Sequence, residues 1–425
     1  MMQSMPGDTV SNAAALPAST DAMPSGAADT LRTPQARPSE DAISGAGSRR
    51  LSVIVVGIRG LPGVQGGVET HAEQLYPRLA ALGCDIEVLT RSPFMPRGVD
   101  RHGDLRLTRL WAPSIPALEA FLHTLIGVLY AGWRRPDVLH IHAIGPALTT
   151  PLARLLGLRV VVTHHGPDYD REKWGPMARR ILRLGERAGV TWAHQCIVIS
   201  RVIADAVNAR YGRHAVIIPN GVNAGAAQSA TDLVEHYGLE PGRYFLQVSR
   251  VVPEKRQLDL IDAWARLEPR DWRLVLVGGI GDEPYSQQVR ARAAAHGVVL
   301  TGVLQYESLW QLYSHAGCFV LPSSHEGLPI ALLEALSFGL PIIASDIAPH
   351  LELGMERDVY FPCGDVAALT HRLADAQARP FDLDASTTRR EWVLSRYVWD
   401  RVARATLQVY HQAQGGDAQL AEIGH

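Results

Sequence analysis

The stretch Pro322-Ser-Ser-His-Glu326-Gly-Leu-Pro-Ile-Ala-Leu-Leu-Glu334 sets two carboxylates eight residues apart. Pro329 suits the first turn of a helix, so Glu326 falls in the preceding loop and Glu334 one turn inside. The amides of Gly327, Leu328 and Ile330 then stand at a helix start, where N–H groups and the helix dipole favour a phosphate. Carboxylates so placed can hold two hydroxyl-bearing parts of a nucleotide sugar. The plainer alternative is one Glu favouring the helix dipole and one exposed helical Glu.

Two cations lie upstream, in Gln247-Val-Ser-Arg250-Val-Val-Pro-Glu-Lys255-Arg256, after an apolar run at 244–248. An Arg fork and a Lys point charge at one strand end neutralise a diphosphate, including charge growing on a leaving group. A solvated loop explains one such cation more easily than two. Near the start of the folded region, Gly57-Ile-Arg-Gly-Leu-Pro-Gly-Val-Gln-Gly66-Gly67-Val-Glu69 leads into a helical stretch. Paired glycines there let backbone amides approach a phosphate closely. A turn that needs glycine only for its dihedrals explains them equally well, and neither a Walker A loop nor a clean G-x-G-x-x-G is present.

Metal ligation has two candidate patterns. Asp168-Tyr-Asp170 is a D-x-D of the kind that suits Mg²⁺. His140 and His142 alternate on one strand face, and His164-His165 end the next strand. Four histidines suit zinc, but strand-end imidazoles lining a polar crevice explain them as well. Cys84, Cys196, Cys318 and Cys363 form no C-x-x-C pair, which argues for a reducing compartment without a disulfide framework.

These groups need a scaffold that gathers strand ends. Lys plus Arg number 41 against 43 Asp plus Glu, a net charge of −2 that excludes a generally basic nucleic-acid binder. Residues 1–48, rich in Ala, Ser and Pro and without an aromatic, are expected to be a disordered leader. β-branched runs at 51–57, 86–90, 138–142, 160–164 and 196–200 alternate with helical stretches, then a small-residue segment at 219–231 reads as a linker. The alternation restarts at 244. This is α/β architecture: two Rossmann-like doubly wound parallel-sheet domains facing across a cleft, at 49–222 and 223–388. A helix at about 389–412 is expected to pack back on the first domain, with a flexible tail at 413–425. Such sheets bind ligands beyond the carboxyl ends of their strands, which is where every candidate above falls.

Taken together, Arg250 with Lys255 and Glu326-x7-Glu334 within Pro-Ser-x-x-Glu-Gly-Leu-Pro resemble the retaining glycosyltransferases of family 4, of GT-B fold. Gly66-Gly67-Val-Glu, Asp137-Val-Leu-His-Ile-His142 and Ile218-Pro-Asn-Gly-Val222 match as well, with Asn223 where an Asp commonly follows. The resemblance covers residues 51–410. It implies a nucleoside-diphosphate sugar held mainly by the second domain and a glycan acceptor held mainly by the first. By it, Arg250 and Lys255 grip the diphosphate, Glu326 contacts the donor sugar and Glu334 the ribose. Gly67 meets the phosphate from across the cleft, and His165 is the active-site histidine. The segment Thr163-His-His-Gly-Pro-Asp-Tyr-Asp-Arg-Glu-Lys-Trp-Gly175 resembles enzymes of bacterial exopolysaccharide and O-antigen synthesis. Transfer of a hexose or deoxyhexose to a lipid-linked glycan, without a metal, on the cytoplasmic face of the inner membrane is the expected function. Arg179, Arg183 and Arg187, at four-residue spacing, would meet anionic headgroups; a solvated helix face explains them too. The rivals are a sugar-nucleotide 2-epimerase and a catalytically silent sugar-nucleotide-binding scaffold subunit.

Overall fold

Leu51–Val56 (β1) heads a sheet in the computed structural model, which describes residues 49–113, 116–171, 174–225, 227–268, 271–379 and 382–415. The expected leader at 1–48, the tail beyond 415 and Lys173 lie outside the described residues. The strands that follow β1 are Cys84–Arg91 (β2), Arg101–His102 (β3), Leu105–Leu110 (β4), Val138–His142 (β5), Val160–His164 (β6), Gln195–Val198 (β7) and Val216–Ile217 (β8). They order as β3-β4-β2-β1-β5-β6-β7-β8, parallel except for the β3–β4 hairpin. Helices Gly67–Ala81 (α1), Pro116–Arg134 (α2), Thr150–Leu155 (α3), Pro176–Trp192 (α4) and Arg201–Tyr211 (α5) cover its faces.

The second sheet is all parallel. Its strands are Tyr244–Val248 (β9), Arg273–Val277 (β10), Val299–Gly302 (β11), Cys318–Leu321 (β12), Ile342–Ser345 (β13) and Tyr360–Phe361 (β14), in the order β11-β10-β9-β12-β13-β14. Its helices are Asp232–His236 (α6), Gln257–Arg266 (α7), Pro284–His296 (α8), Tyr306–His315 (α9), Ile330–Ser337 (α10), Ala348–Leu351 (α11), Val366–Ala378 (α12) and Leu383–Arg396 (α13). Alternate residues of β9 feed opposite cores: Phe245 packs with Leu260 and Trp264 of α7, Leu246 with Leu332 and Leu333 of α10. Each such side chain, fully buried, contributes about 1.5–3 kcal/mol, so both faces must be covered and the strands read as unbroken apolar runs.

β5 breaks that rule. All five of its residues are buried, yet two are histidines on one face. Leu139 and Ile141 fill the core under α2 and α3, whereas His140 and His142 turn towards α1. Trp399–Ala413 (α14) completes that side, with Trp399, Val402 and Tyr410 in the same apolar cluster as Val53, Leu75 and Ile86. The helix expected at 389–412 is thus two, broken at Tyr397-Val398. There Val222 N donates to the Tyr397 carbonyl at 2.5 Å and Val222 bridges Val398. Gly221 is packed so closely on Trp399 that a Cβ would collide with it. The segment expected as a linker is therefore pinned where the chain crosses between sheets.

Candidate active site

Gln247, at the end of β9, donates to the Lys255 carbonyl at 3.0 Å. Gln257, opening α7, donates to Ser249 Oγ at 3.0 Å and to the Arg250 carbonyl at 2.9 Å. Two buried amides thus staple the cationic loop at both ends. From it Lys255 Nζ reaches Glu326 Oε1 at 2.5 Å, in the loop after β12. Burial alone would raise the Glu326 carboxyl; Lys255 and His350 outweigh it and hold the group below its usual range.

Arg250 has no carboxylate partner among the described residues. Burial, Arg171 and Arg59 all press its pKa down, and Glu254 and Glu69 only partly offset them. An anion bound there relieves both the desolvation and the like-charge repulsion. Glu334 sits one turn into α10, where its Oε2 accepts a hydrogen bond from the Tyr313 hydroxyl at 3.2 Å. Among the described residues no cation compensates its burial, and its carboxyl is raised to about 7.

On the facing side, Arg59 follows β1 and forks onto Glu69 in the first turn of α1, Nε to Oε1 at 2.9 Å and Nη2 to Oε2 at 2.9 Å. The paired glycines differ in purpose. A Cβ at Gly66 would collide with this ion pair, whereas one at Gly67 would meet nothing within 4 Å. Gly66 makes room for Arg59 and Glu69; Gly67 leaves the start of α1 open. Across the cleft a Cβ at Gly327 would strike the His165 carbonyl, and Gly166 faces the Gly327 Cα. Glycine here lets the loop before α10 lie against the end of β6.

Histidines converge at that contact. His165 Nε2 and His142 Nδ1 are 2.8 Å apart, His142 Nε2 meets the Tyr76 hydroxyl, and His71 Nδ1 lies 2.9 Å from Asn220 Oδ1. Asn220 Nδ2 donates to the Leu328 carbonyl at 2.7 Å, which ties the crossing segment to both sides of the cleft. Burial lowers the His71 pKa to about 4 and that of His140 to about 3, and with the neighbouring imidazoles it holds His142 and His165 well below the usual value. All four rings are neutral at physiological pH.

His71, His142 and His165 offer three ring nitrogens within 4.8 Å, the one group among the described residues able to hold a metal ion. Their hydrogen bonds to Asn220, Tyr76 and one another explain the burial without one. The sequence pattern named a different quartet: His140 instead contacts Thr163 and Tyr410, and His164 Nε2 pairs with Glu186 at 2.9 Å. In Asp168-Tyr-Asp170, a 3₁₀ turn, Asp168 pairs with Arg171 at 3.0 Å and Tyr169 is buried against Glu186.

Gly66, Gly67, His165, Arg250, Lys255, Glu326, Gly327, Leu328, Ile330 and Glu334 all line one cleft of about 1210 Å³. Single-ligand pockets run to roughly 300–1,000 Å³, so the cleft has room for two substrates. Arg179, Arg183 and Arg187 are exposed on α4 and do not line it. Sequence reasoning singled out neither Arg59 nor His71, and it quoted Arg171 and Asn220 only within family-like motifs, without a role for either. Glu69 stood in the glycine motif without a partner named for it, and Asn220 fell both in the family-like Ile218–Val222 motif and in the expected linker.

Comparison with known proteins decides the class. The profile described as Glycosyltransferase Family 4 matches residues 65–225, and that described as Glycosyl transferases group 1 matches 232–388. A GDP-mannose-dependent alpha-(1-6)-phosphatidylinositol monomannoside mannosyltransferase of Mycolicibacterium smegmatis is 31% identical over 60% of this chain and 70% of its own length. The chain belongs to glycosyltransferase family 4. A 2-deoxystreptamine N-acetyl-D-glucosaminyltransferase of Streptomyces fradiae is 29% identical over 82% of this chain and 91% of its own. Sucrose-phosphate synthase of Thermosynechococcus elongatus superposes with a TM-score of 0.75 at 22% identity, over 85% of this chain and 99% of that one, which establishes the GT-B fold. As a family member the chain is a retaining glycosyltransferase that takes its sugar from a nucleotide-sugar donor.

Proposed function

We propose that the sugar passes to a lipid-linked glycan in bacterial surface or exopolysaccharide synthesis. In this reading Arg250 and Lys255 hold the donor diphosphate with the amides of Gly327, Leu328 and Ile330, and Gly67 meets it from the other side. Glu334 takes the ribose hydroxyls, Glu326 the donor sugar, and His165 stands beside the reacting centre. Arg250 carries the reading: a half-buried guanidinium among other cations, with no carboxylate partner among the described residues, is suited to an anion and to little else. As the glycosidic bond breaks, negative charge grows on the diphosphate where these donors already point, which lowers the barrier without reorganisation. Departure and attack on one face let the leaving phosphate accept the acceptor hydroxyl's proton.

The lipid assignment rests on α4. Met177, Ile181 and Leu184 are 72%, 45% and 51% exposed, beside the stripe of Arg179, Arg183 and Arg187. An apolar strip flanked by arginines suits an anionic bilayer surface, and among the described residues no helix is long and apolar enough to cross a membrane. Met177 and Ile181 also line the cleft, so the same helix borders both. The name of the mycobacterial relative specifies a lipid acceptor for that protein. Sedimentation with phosphatidylglycerol vesicles, but not phosphatidylcholine vesicles, supports the reading if Arg179→Gln/Arg183→Gln/Arg187→Gln abolishes it. A screen of UDP-, GDP- and dTDP-sugars for nucleoside diphosphate release identifies the donor.

A further inference from the structure

The two sides of the cleft differ in charge. On the side of β9 and β12, Arg250 has no carboxylate partner among the described residues and stands beside the Lys255–Glu326 pair. On the side of β1 and β2, two arginines and two glutamates compensate one another. Arg59 forks onto Glu69 at 2.9 Å, and Arg91, the last residue of β2, donates from Nη1 to Glu119 Oε1 in the first turn of α2 at 3.0 Å. Arg91 N also donates to the Arg59 carbonyl at 2.8 Å, which fixes the two strand ends side by side. The pairs act on each other: Glu119 attracts Arg59, and Glu69 attracts Arg91. Each glutamate lies in a first helical turn, where the dipole favours it. The result is a square of alternating charge, largely buried, with exposures of 28% and 7% for Arg59 and Glu69 and 10% and 13% for Arg91 and Glu119.

All four residues line the cleft, as does Phe94, whose ring lies 5.6 Å from the Arg59 guanidinium carbon. Arg91 Nε, buried, has no hydrogen-bond partner among the described residues, so this guanidinium keeps a donor beyond those spent on Glu119 and the Gly57 carbonyl.

We propose that Arg59, Glu69, Arg91, Glu119 and Phe94 form the subsite for an uncharged sugar unit of the acceptor. A sugar hydroxyl both donates and accepts, so adjacent hydroxyls can bridge a guanidinium and a carboxylate in turn. The C–H face of a pyranose finds an apolar partner in Phe94. A uronic acid fits badly: its carboxylate would face Glu69 and Glu119, which already neutralise the charge of both arginines. The proposal deepens the acceptor reading above and rests on it, since the anion-holding side is then occupied by the donor.

The test is saturation-transfer NMR on the full chain with methyl β-glucoside and methyl β-glucuronide, two probes that differ in the carboxylate. UDP or GDP, whichever raises the melting temperature, fills the donor side. The glucoside should show saturation at least fivefold above the glucuronide. Phe94→Ala should lose most of the glucoside signal. Glu119→Gln, which releases Arg91, should shift the ratio at least threefold towards the glucuronide. A wild-type preference for the glucuronide, no signal from either probe, or a ratio unmoved by Glu119→Gln overturns the proposal. Failure of both nucleotides to bind would instead strike the donor reading, so the two outcomes remain distinct. The wild-type comparison needs no variant, and circular dichroism confirms that each variant is folded.

Discussion

Lys255 Nζ lies 2.5 Å from Glu326 Oε1, joining the loops that follow the neighbouring strands β9 and β12. The two residues assigned to diphosphate and sugar are therefore one charge-compensated unit before any ligand arrives. In the proposed reading Lys255 would meet the phosphate while already positioning Glu326.

That coupling can be measured. Lys255→Met leaves Glu326 buried without its cation and should destabilise the fold by about 3–5 kcal/mol, as is usual when one partner of a buried pair is removed. Lys255→Met/Glu326→Gln should recover most of the loss in urea melts. Because the folded Glu326 carboxyl lies below its ordinary value, its contribution is present above about pH 4.5 and is lost as pH falls through the lower folded value. In catalysis Glu326→Gln should lower kcat more than it changes donor KM if, as proposed, Glu326 faces charge that develops only at the transition state.

Glu334 behaves oppositely. Its carboxyl is raised to about 7, so it is partly protonated at neutral pH, while a ribose diol asks for an ionised acceptor. Donor affinity should rise as pH increases from 6 to 8, and Glu334→Gln should flatten that dependence while raising donor KM. For stability the sign is reversed: the fold favours the protonated form, so this contribution is full below about pH 4.5 and is lost as pH rises through about 7. Glu334→Gln should then stabilise the protein at pH 8.5 by up to about 3 kcal/mol, and hardly at pH 4. A variant that binds the donor less well and melts later is the expected signature.

The histidine chain sets a third expectation. His165 Nε2 meets His142 Nδ1, His142 Nε2 meets the Tyr76 hydroxyl, and Tyr76 with Tyr410 closes on His140 Nδ1 at 3.0 and 2.7 Å. With neutral rings, Tyr76 decides which His142 nitrogen carries the proton, and so which His165 nitrogen does. Tyr76→Phe should change the His165 tautomer population, read from imidazole ¹⁵N shifts, and lower kcat by about tenfold or more. No histidine limb near pH 6.5 should appear in the kcat profile of the wild type, because burial keeps these rings neutral.

Donor turnover should persist in excess EDTA, since in the proposed reading Arg250, Lys255 and helix-start amides meet the diphosphate charge. Activity abolished by EDTA and restored by Mg²⁺ would return Asp168 and Asp170 to consideration. Restoration by Zn²⁺ alone would point to His71, His142 and His165.

The parallel strands were legible because they are buried on both faces and read as short apolar runs; β5 and β6 fall where the pattern put them. The strand Leu105–Leu110 was not, because it carries Arg106 and Arg109 among its leucines near the sheet edge. Two residues of β8 and two of β14 are too few to show a period. At the site, local motifs announced Glu326, Glu334, Arg250 and the glycines. Partnerships between distant segments left no local trace: Lys255 with Glu326 spans 71 positions and His71 with Asn220 spans 149. Asn220 looked like a turn residue because its neighbours are, and only the fold turns it into a cross-brace.

The assignment of the donor site stands on Arg250. Calorimetric titration of wild type and Arg250→Ala with a nucleoside diphosphate and its parent nucleoside tests it directly. The wild type should bind the diphosphate far more tightly than the nucleoside. Arg250→Ala should weaken diphosphate binding by about 10- to 100-fold, as expected for charged hydrogen bonds, leave nucleoside binding within twofold, and melt no earlier, because an unpaired cation has been removed. Equal diphosphate affinity in the two proteins would contradict the account.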